Sequence, residues 1–237
     1  MQAIILAGGQ GTRLRPYTVS LPKPLVPIGD HPIIDIVLRQ LKTAGFEDVV
    51  ISTGHLSDLV QAYCGDGSKW RLRVRYVREE HPLSTAGPLR LIEGLEENFL
   101  VVNGDILTSL KFEAIWRDHL DSHPIATLGI CQRHMAVDFG VVELGEENEL
   151  KRYTEKPRLE YHVAMGINVL NRKCITYIKP GEALGLPELY LRMQTAGETL
   201  KCYVSKDFWL DIGRPEDYQS AQDRLAEDPQ AFLSDAN

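Results

Sequence analysis

The chain is predicted to be an α/β protein built on a mixed, mainly parallel sheet flanked by helices, with a smaller lobe set against it. Three observations lead there. Short apolar runs alternate with helix-length amphipathic segments through the first half. A glycine-rich loop follows the first apolar run, and 237 residues are enough for one sizeable core in a single domain spanning 1–237.

The elements follow in order. A strand over Ala3 to Ala7 precedes a helix from about Ile33 to Ala44, which Gly45 closes. Next come a strand at Val49 to Ser52, a helix near Ser57 to Cys64, a strand at Arg73 to Val77, a helix near Ala86 to Glu93 and a strand at Phe99 to Asn103. Strands separated by helical patterns imply crossover units and a parallel sheet covered on both faces. After a helix around Phe112 to His119 the pattern changes. Strand-like runs at Ile125 to Cys131, Gly140 to Glu143 and Val163 to Leu170 have less helix between them, so antiparallel strands are expected to extend the sheet and form the smaller lobe. A helix near Pro187 to Thr195, a strand at Phe208 to Asp211 and a helix about Pro215 to Ala226 complete the chain. No internal repeat is visible, and no hexapeptide repeats follow Asp211, so no C-terminal β-helix domain is expected.

Composition excludes several classes. Hydrophobic residues at 43% and charged residues at 25% are ordinary for a globular protein and disfavour disorder. A net charge of -7 disfavours non-specific binding to nucleic acid or an anionic membrane. The apolar N-terminal run meets Gly8 and Gly9 too soon for a signal peptide or a membrane span, so a cytoplasmic location is expected. Cys64, Cys131, Cys174 and Cys202 form no paired motif and are expected to be buried thiols. His119 and His123 have helical i,i+4 spacing without the Glu of a zinc motif, so a solvated helix face is expected.

The chemistry concentrates in Leu6-Ala-Gly-Gly-Gln-Gly-Thr-Arg-Leu-Arg-Pro-Tyr-Thr-Val-Ser-Leu-Pro-Lys-Pro24. Gly8, Gly9 and Gly11 let main-chain N–H groups turn toward phosphate oxygens, at the carboxyl end of a strand where open α/β sheets place their ligands. Arg13 can grip phosphate bidentately, and Lys23, held between two prolines, supplies a point charge. A dinucleotide fingerprint fits poorly, because Leu14 stands where its third Gly belongs, and no Walker A Gly-Lys-Ser/Thr occurs. A structural turn would explain the glycines but neither the Arg nor the flanked Lys.

This segment resembles the signature of the sugar-1-phosphate nucleotidyltransferases, and the similarity extends through later motifs to Asp211. The resemblance implies a Rossmann-like fold of the nucleotide-diphospho-sugar transferase type and transfer of a nucleoside monophosphate from a nucleoside triphosphate to a sugar 1-phosphate. Leu6, Ala7, Gly8, Gly9, Gly11 and Thr12 would then surround the nucleotide, with Arg13 on the leaving pyrophosphate and Lys23 near the α-phosphate.

Gly104-Asp105 ends one strand, and Trp209-Leu-Asp211 ends another far away in sequence. Magnesium takes one or two carboxylates and completes its octahedron with phosphate oxygens and water, so two aspartates brought together would serve it. Each alone could equally cap a following segment. The resemblance favours the metal reading, with Mg2+ on Asp105 and Asp211 and with Gly104 beside the nucleotide. It likewise sets Lys156 of Glu155-Lys156-Pro157 on the sugar phosphate, Glu155 near sugar hydroxyls, and Gly140 and Asn168 along the sugar.

The stretch Glu79-Glu-His-Pro-Leu-Ser-Thr85-Ala-Gly-Pro-Leu89 resembles the family's base-reading loop, most closely its form in GDP-mannose pyrophosphorylases, with Ser84 in place of the usual Gly. Guanine offers two adjacent donors that one carboxylate can accept, so Glu79 is the expected reader, Glu80 its substitute, and GTP the expected donor. A uridylyl- or thymidylyltransferase on a glucose-type or amino-sugar phosphate remains the alternative, as does a non-catalytic nucleotide-sugar sensor. The sugar, mannose-like or heptose-like by resemblance, is not encoded in any single motif. Neither is oligomeric state, although a homodimer is the commonest closed assembly.

Overall fold

The computed structural model describes residues 1–233. The first half runs β1 (Gln2–Ala7), β2 (Pro27–Ile28), β3 (His31–Pro32), α1 (Ile33–Thr43), β4 (Asp48–Thr53), α2 (Ser57–Cys64), β5 (Arg73–Arg78) and β6 (Asn98–Asn103). The second runs β7 (Ile106–Thr108), α3 (Phe112–Ser122), β8 (Ala126–Ala136), β9 (Val141–Leu144), β10 (Leu150–Thr154), β11 (Arg158–Asn171), α4 (Leu186–Thr195), β12 (Leu200–Ser205), β13 (Trp209–Asp211) and α5 (Pro215–Glu227).

Seven strands form the central sheet in the order β12-β8-β11-β6-β1-β4-β5. Every pairing in it is parallel except those of β11, which runs against both β6 and β8. Side chains alternate across the strands, so the two faces bury separate cores. Ala3, Ile5, Val49, Ile51, Leu100 and Val102 meet α1, α2 and α3 on one face. Ile4, Val50, Phe99 and Val101 meet α4 and the segments around Leu89 and Cys174 on the other.

A third core lies under the loop that follows β1. Leu14, Val26, Ile28, Ile33, Ile36, Leu107, Ile212, Ala221 and Leu225 pack together there, so the loop, the start of α1, the two short strands β7 and β13, and α5 share one apolar anchor. Burying such side chains stabilises by about 1.5–3 kcal/mol each, and it draws segments two hundred residues apart into one place.

Several expectations are corrected. The segment predicted as a helix over Ala86 to Glu93 is a 3-10 turn at Gly87–Leu91. Pro88 lacks an N–H, and a Cβ on Gly87 would sit 2.5 Å from the Glu182 carbonyl oxygen, so neighbouring chain leaves no room for a wider coil. The strand-rich second half adds just one reversed strand to the sheet; β8 is parallel to the first-half strands, and β9 pairs with β10 outside the main sheet. His119 is buried, with Nδ1 2.9 Å from Thr127 Oγ1 and Nε2 3.1 Å from Asn98 Oδ1, and burial pushes its pKa down to about 4. Its amphipathic spacing faced the sheet instead of solvent. Cys202 is exposed on edge strand β12, whereas the other three cysteines are buried as expected. Five strands lay outside the expected set: β2, β3 and β7 are too short to show a period, β10 is exposed along most of its length, and β12 is an edge strand whose side chains are mostly only partly buried or exposed.

Candidate active site

The loop leaving β1 turns through a 3-10 segment at Thr12–Leu14, where buried Leu14 fixes it to the third core. Thr18 Oγ1 donates to the Gly11 carbonyl at 2.7 Å and closes the loop on itself. Gly8 lies close to the Glu79 carboxylate, and a Cβ there would force Glu79 Oε1 to shift. That close approach stacks the loop directly against the segment following β5.

Lys23 lies in a second 3-10 turn, Lys23–Leu25, entered from Pro22, and its side chain is only 9% exposed. Its Nζ donates to Asp105 Oδ2 at 2.5 Å and lies 3.7 Å from Asp211 Oδ1. The ammonium therefore bridges the two expected metal aspartates. Asp105 follows Gly104 in the turn between β6 and β7, and Asp211 ends β13. The two short strands pair antiparallel with Asp211 opposite Ile106, and the Ile212 N–H donates to the Asp105 carbonyl at 3.0 Å. This ribbon is what brings together carboxylates so distant in sequence.

Burial raises the Asp211 pKa above the usual carboxylate value and the neighbouring Asp105 charge adds to the rise, while Lys23 and Arg13 oppose it. The two carboxylates, which the Lys23 ammonium bridges here, are oxygen donors of the kind a divalent cation takes. Among the described residues no group of three or more His, Cys, Asp or Glu gathers to hold a metal, so an ion here would complete its shell with phosphate oxygens and water.

A cavity of about 250 Å³ opens beside the glycine loop, and Leu6, Gly8, Gly9, Glu79, Thr85 and Asp105 all line it. Glu79 is braced on both oxygens: Ser52 Oγ donates to Oε1 at 3.2 Å and the Leu83 N–H to Oε2 at 2.9 Å. Each oxygen keeps a lone pair for a ligand. Glu80 is exposed and lines no part of this cavity. Thr85 also has a structural task, its Oγ1 accepting from the Leu186 N–H that starts α4 at 2.8 Å. Ala7 is buried at the end of β1, and Thr12 is exposed at the loop's turn.

The expected sugar residues lie elsewhere. Gly140, Glu155 and Lys156 flank the β9–β10 hairpin, and a Cβ on Gly140 would collide with the Tyr153 phenol, which donates to Glu155 Oε2 at 2.7 Å. Lys156 is exposed and sits at φ 42°, in the left-handed region that few side chains tolerate. Asn168 is set apart from them, 3% exposed inside β11, opposite Val101 and Leu128, and lines neither the glycine-loop cavity nor the one beside Asp211.

Sequence reasoning passed over Asn103, Pro82 and Ser84 as wall residues of the first cavity, although Ser84 stood out as a replacement for Gly. It also passed over Arg133 and Arg214, which line a second cavity with Arg13 and Asp211. A single arginine outside any motif gives no pattern by which to find it.

The nucleotidyl transferase family model matches residues 2–228. A mannose-1-phosphate guanylyltransferase of Mycobacterium tuberculosis is 32% identical over 225 residues, covering 92% of this chain and 62% of that protein. A UTP–glucose-1-phosphate uridylyltransferase of Synechocystis sp. is 30% identical over 243 residues, covering 93% of this chain and 62% of that protein. The chain thus spans less than two thirds of the length of these curated relatives. Among solved structures, a putative glucose-1-phosphate thymidylyltransferase from Bacillus anthracis in complex with a sucrose aligns with a TM-score of 0.75 at 26% identity, over 100% of this chain and 96% of that one. HddC from Yersinia pseudotuberculosis, complexed with GMP-PN, aligns with a TM-score of 0.70 at 25% identity, over 94% of this chain and 99% of that one.

Proposed function

The chain belongs to the nucleotidyl transferase family, and from that premise we propose that it transfers a nucleoside monophosphate from a nucleoside triphosphate to a sugar 1-phosphate, releasing pyrophosphate. The observation that carries this reading is Lys23 bridging Asp105 and Asp211 beside the glycine loop. Both reactants are polyanions, so the main catalytic task is to hold them in line and neutralise their charge, with no side-chain nucleophile required.

In this reading the loop amides and Arg13 hold the triphosphate, Lys23 offsets charge at the α-phosphate, and Lys156 draws the sugar phosphate toward it. Asp105 and Asp211 would hold Mg2+, which when bound neutralises phosphate oxygens. The Glu79 carboxylate, braced in the wall of the cavity, would accept from guanine N1–H and the 2-amino group, so GTP is the proposed donor and a mannose-like or heptose-like 1-phosphate the proposed acceptor. Names of relatives such as the M. tuberculosis protein support that choice. The uridylyl- and thymidylyltransferase relatives support the second reading, in which UTP or dTTP is the donor.

A matrix of GTP, UTP, dTTP, ATP and CTP against a panel of sugar 1-phosphates, followed by pyrophosphate release, tests both readings. Release should need triphosphate, sugar 1-phosphate and magnesium together, and GTP should be preferred. Rapid triphosphate hydrolysis without a sugar phosphate would contradict the transferase reading. Equal or better turnover with UTP or dTTP would refute the guanine assignment alone.

A further inference from the structure

Beside Asp211, on the Arg13 side, lies a cavity of about 290 Å³ whose lining includes Arg13, Arg133, Trp209, Asp211, Arg214 and Asp217. Three guanidinium groups from separate parts of the chain converge on it. Arg13 comes from the glycine loop, with its guanidinium packed against Gly213. Arg214 immediately precedes α5. Arg133 reaches across from β8: its Nη2 donates to the Trp209 carbonyl at 2.7 Å, and its Cζ lies 5.3 Å from the centre of the Trp209 ring. That contact fixes the plane of the group and leaves donors free.

No side-chain hydrogen bond or ion pair holds the Arg13 or Arg214 guanidinium among the described residues, although Asp211 and Asp217 line the same cavity and Asp211 feels the Arg13 charge. Three cations against two carboxylates leave a positive cavity in a chain of net charge -7. Arginines brought together with donors to spare suit an anion, because the planar fork matches phosphate oxygens.

We infer that Arg133 and Arg214 join Arg13 in a subsite for inorganic pyrophosphate, the leaving group of the proposed reaction; this deepens that reading and rests on it. A ligand that reaches all three guanidinium groups needs more phosphate oxygens than the one phosphate of a sugar monophosphate offers, and pyrophosphate has them. The cation expected for that monophosphate, Lys156, stands on the hairpin and does not line this cavity. In the forward reaction the bond from the α-phosphorus to its bridging oxygen breaks as the sugar-phosphate oxygen attacks, and the electron pair leaves with pyrophosphate. The arginines would hold that departing charge, so the subsite should show most clearly in pyrophosphate affinity.

Calorimetric titration of the protein with inorganic pyrophosphate and magnesium provides the test, run on the native chain, Arg214→Gln, Arg133→Met and the double variant. Each single change should weaken pyrophosphate binding about tenfold, as loss of one charge-assisted phosphate contact does, and the double change should weaken it further. The KM for sugar 1-phosphate should stay within about twofold. Unchanged pyrophosphate affinity in the double variant overturns the inference, as does absence of pyrophosphate binding by the native chain. A loss confined to sugar 1-phosphate KM also overturns it, reassigning the anion to the acceptor's monophosphate. Should Arg133→Met destabilise the fold through Trp209, the exposed Arg214→Gln decides alone. Binding is read without turnover, so the two readings separate. Pyrophosphate binding without NDP-sugar formation from any substrate pair sinks the transferase reading; turnover with pyrophosphate affinity indifferent to both arginines sinks the subsite.

Discussion

Lys23, Asp105 and Glu79 each stand in a turn or loop beside the packed sheet and are held by named partners, whereas Gly140, Glu155 and Lys156 stand on or beside a hairpin whose strands, among the described residues, pair only with each other. The apolar side chains differ in the same sense. Leu14, Val26 and Leu107, next to the nucleotide-side residues, are fully buried, while Phe139 at the root of the hairpin is 78% exposed. A two-stranded hairpin is marginal in water by itself. By the proposed assignment, the nucleotide side is therefore organised before any ligand arrives, and the sugar side depends more on what it binds.

The largest effects are expected where the organised side concentrates charge. Asp105→Asn and Asp211→Asn should each lower turnover by about a hundred- to thousandfold, the usual scale for losing a transition-state charge contact, with an unchanged circular dichroism spectrum. Chelation of magnesium should reproduce the loss in the native chain. A fall of less than tenfold in either variant, at limiting magnesium, removes that residue from the metal pair.

On the sugar side the penalty should be smaller and more selective. Lys156→Ala should reduce kcat/KM for sugar 1-phosphate by about ten- to a hundredfold, as for one charged hydrogen bond, and leave the triphosphate KM and the melting temperature alone because the side chain is exposed. An effect falling on triphosphate affinity instead would erase the contrast between the two sides.

Glu79→Gln probes the brace. With its oxygen on the Leu83 N–H, the Gln amide turns its NH2 toward Ser52 Oγ, so the charge is lost and the hydroxyl contact must reverse its direction. GTP use should weaken about tenfold and the preference over UTP should narrow, while melting falls by about 2–4 °C for a loss of roughly 1 kcal/mol. A melting change with no shift in base preference would leave Glu79 as a brace and nothing more.

The same contrast explains what was legible in the sequence. Gly8, Gly9 and Asp105 lie in loops directly after strands and Lys23 stands between two prolines, so strand position and local composition were enough to locate them. The partnership of Asp105 with Asp211 depends on the ribbon of β7 and β13, three residues each, which no periodicity reveals. Burial of His119 depends on Asn98 and Thr127 from two other strands. Thr85 starting α4, and Arg133 meeting Trp209, are likewise contacts made between remote segments of the chain. The mainly parallel α/β architecture was readable because each strand and helix announces itself locally, while the single reversed strand β11 was not distinguishable from its neighbour β8.

The smallest expected effect sharpens the comparison furthest, because it lies in the wall of the organised pocket. Ser84 lines the cavity beside the glycine loop and sits at φ 63°, a conformation that costs an L-residue about 1–2 kcal/mol. Its neighbours hold it there: the Leu83 N–H is bound by Glu79, and the Thr85 hydroxyl accepts from the start of α4. Glycine would remove the strain but add unfolded-state freedom worth about 0.5–1 kcal/mol, leaving a net gain of roughly 0.5–1 kcal/mol. Ser84→Gly should accordingly raise the melting temperature by about 1–3 °C. Ser84→Ala keeps a Cβ in the strained conformation and loses just the hydroxyl, so it should give no such gain. Equal melting shifts in the two variants would place the effect in the hydroxyl and not in the backbone. A gain confined to Ser84→Gly, with triphosphate KM unchanged, would mean that the flanking contacts hold this wall in shape without help from the residue between them.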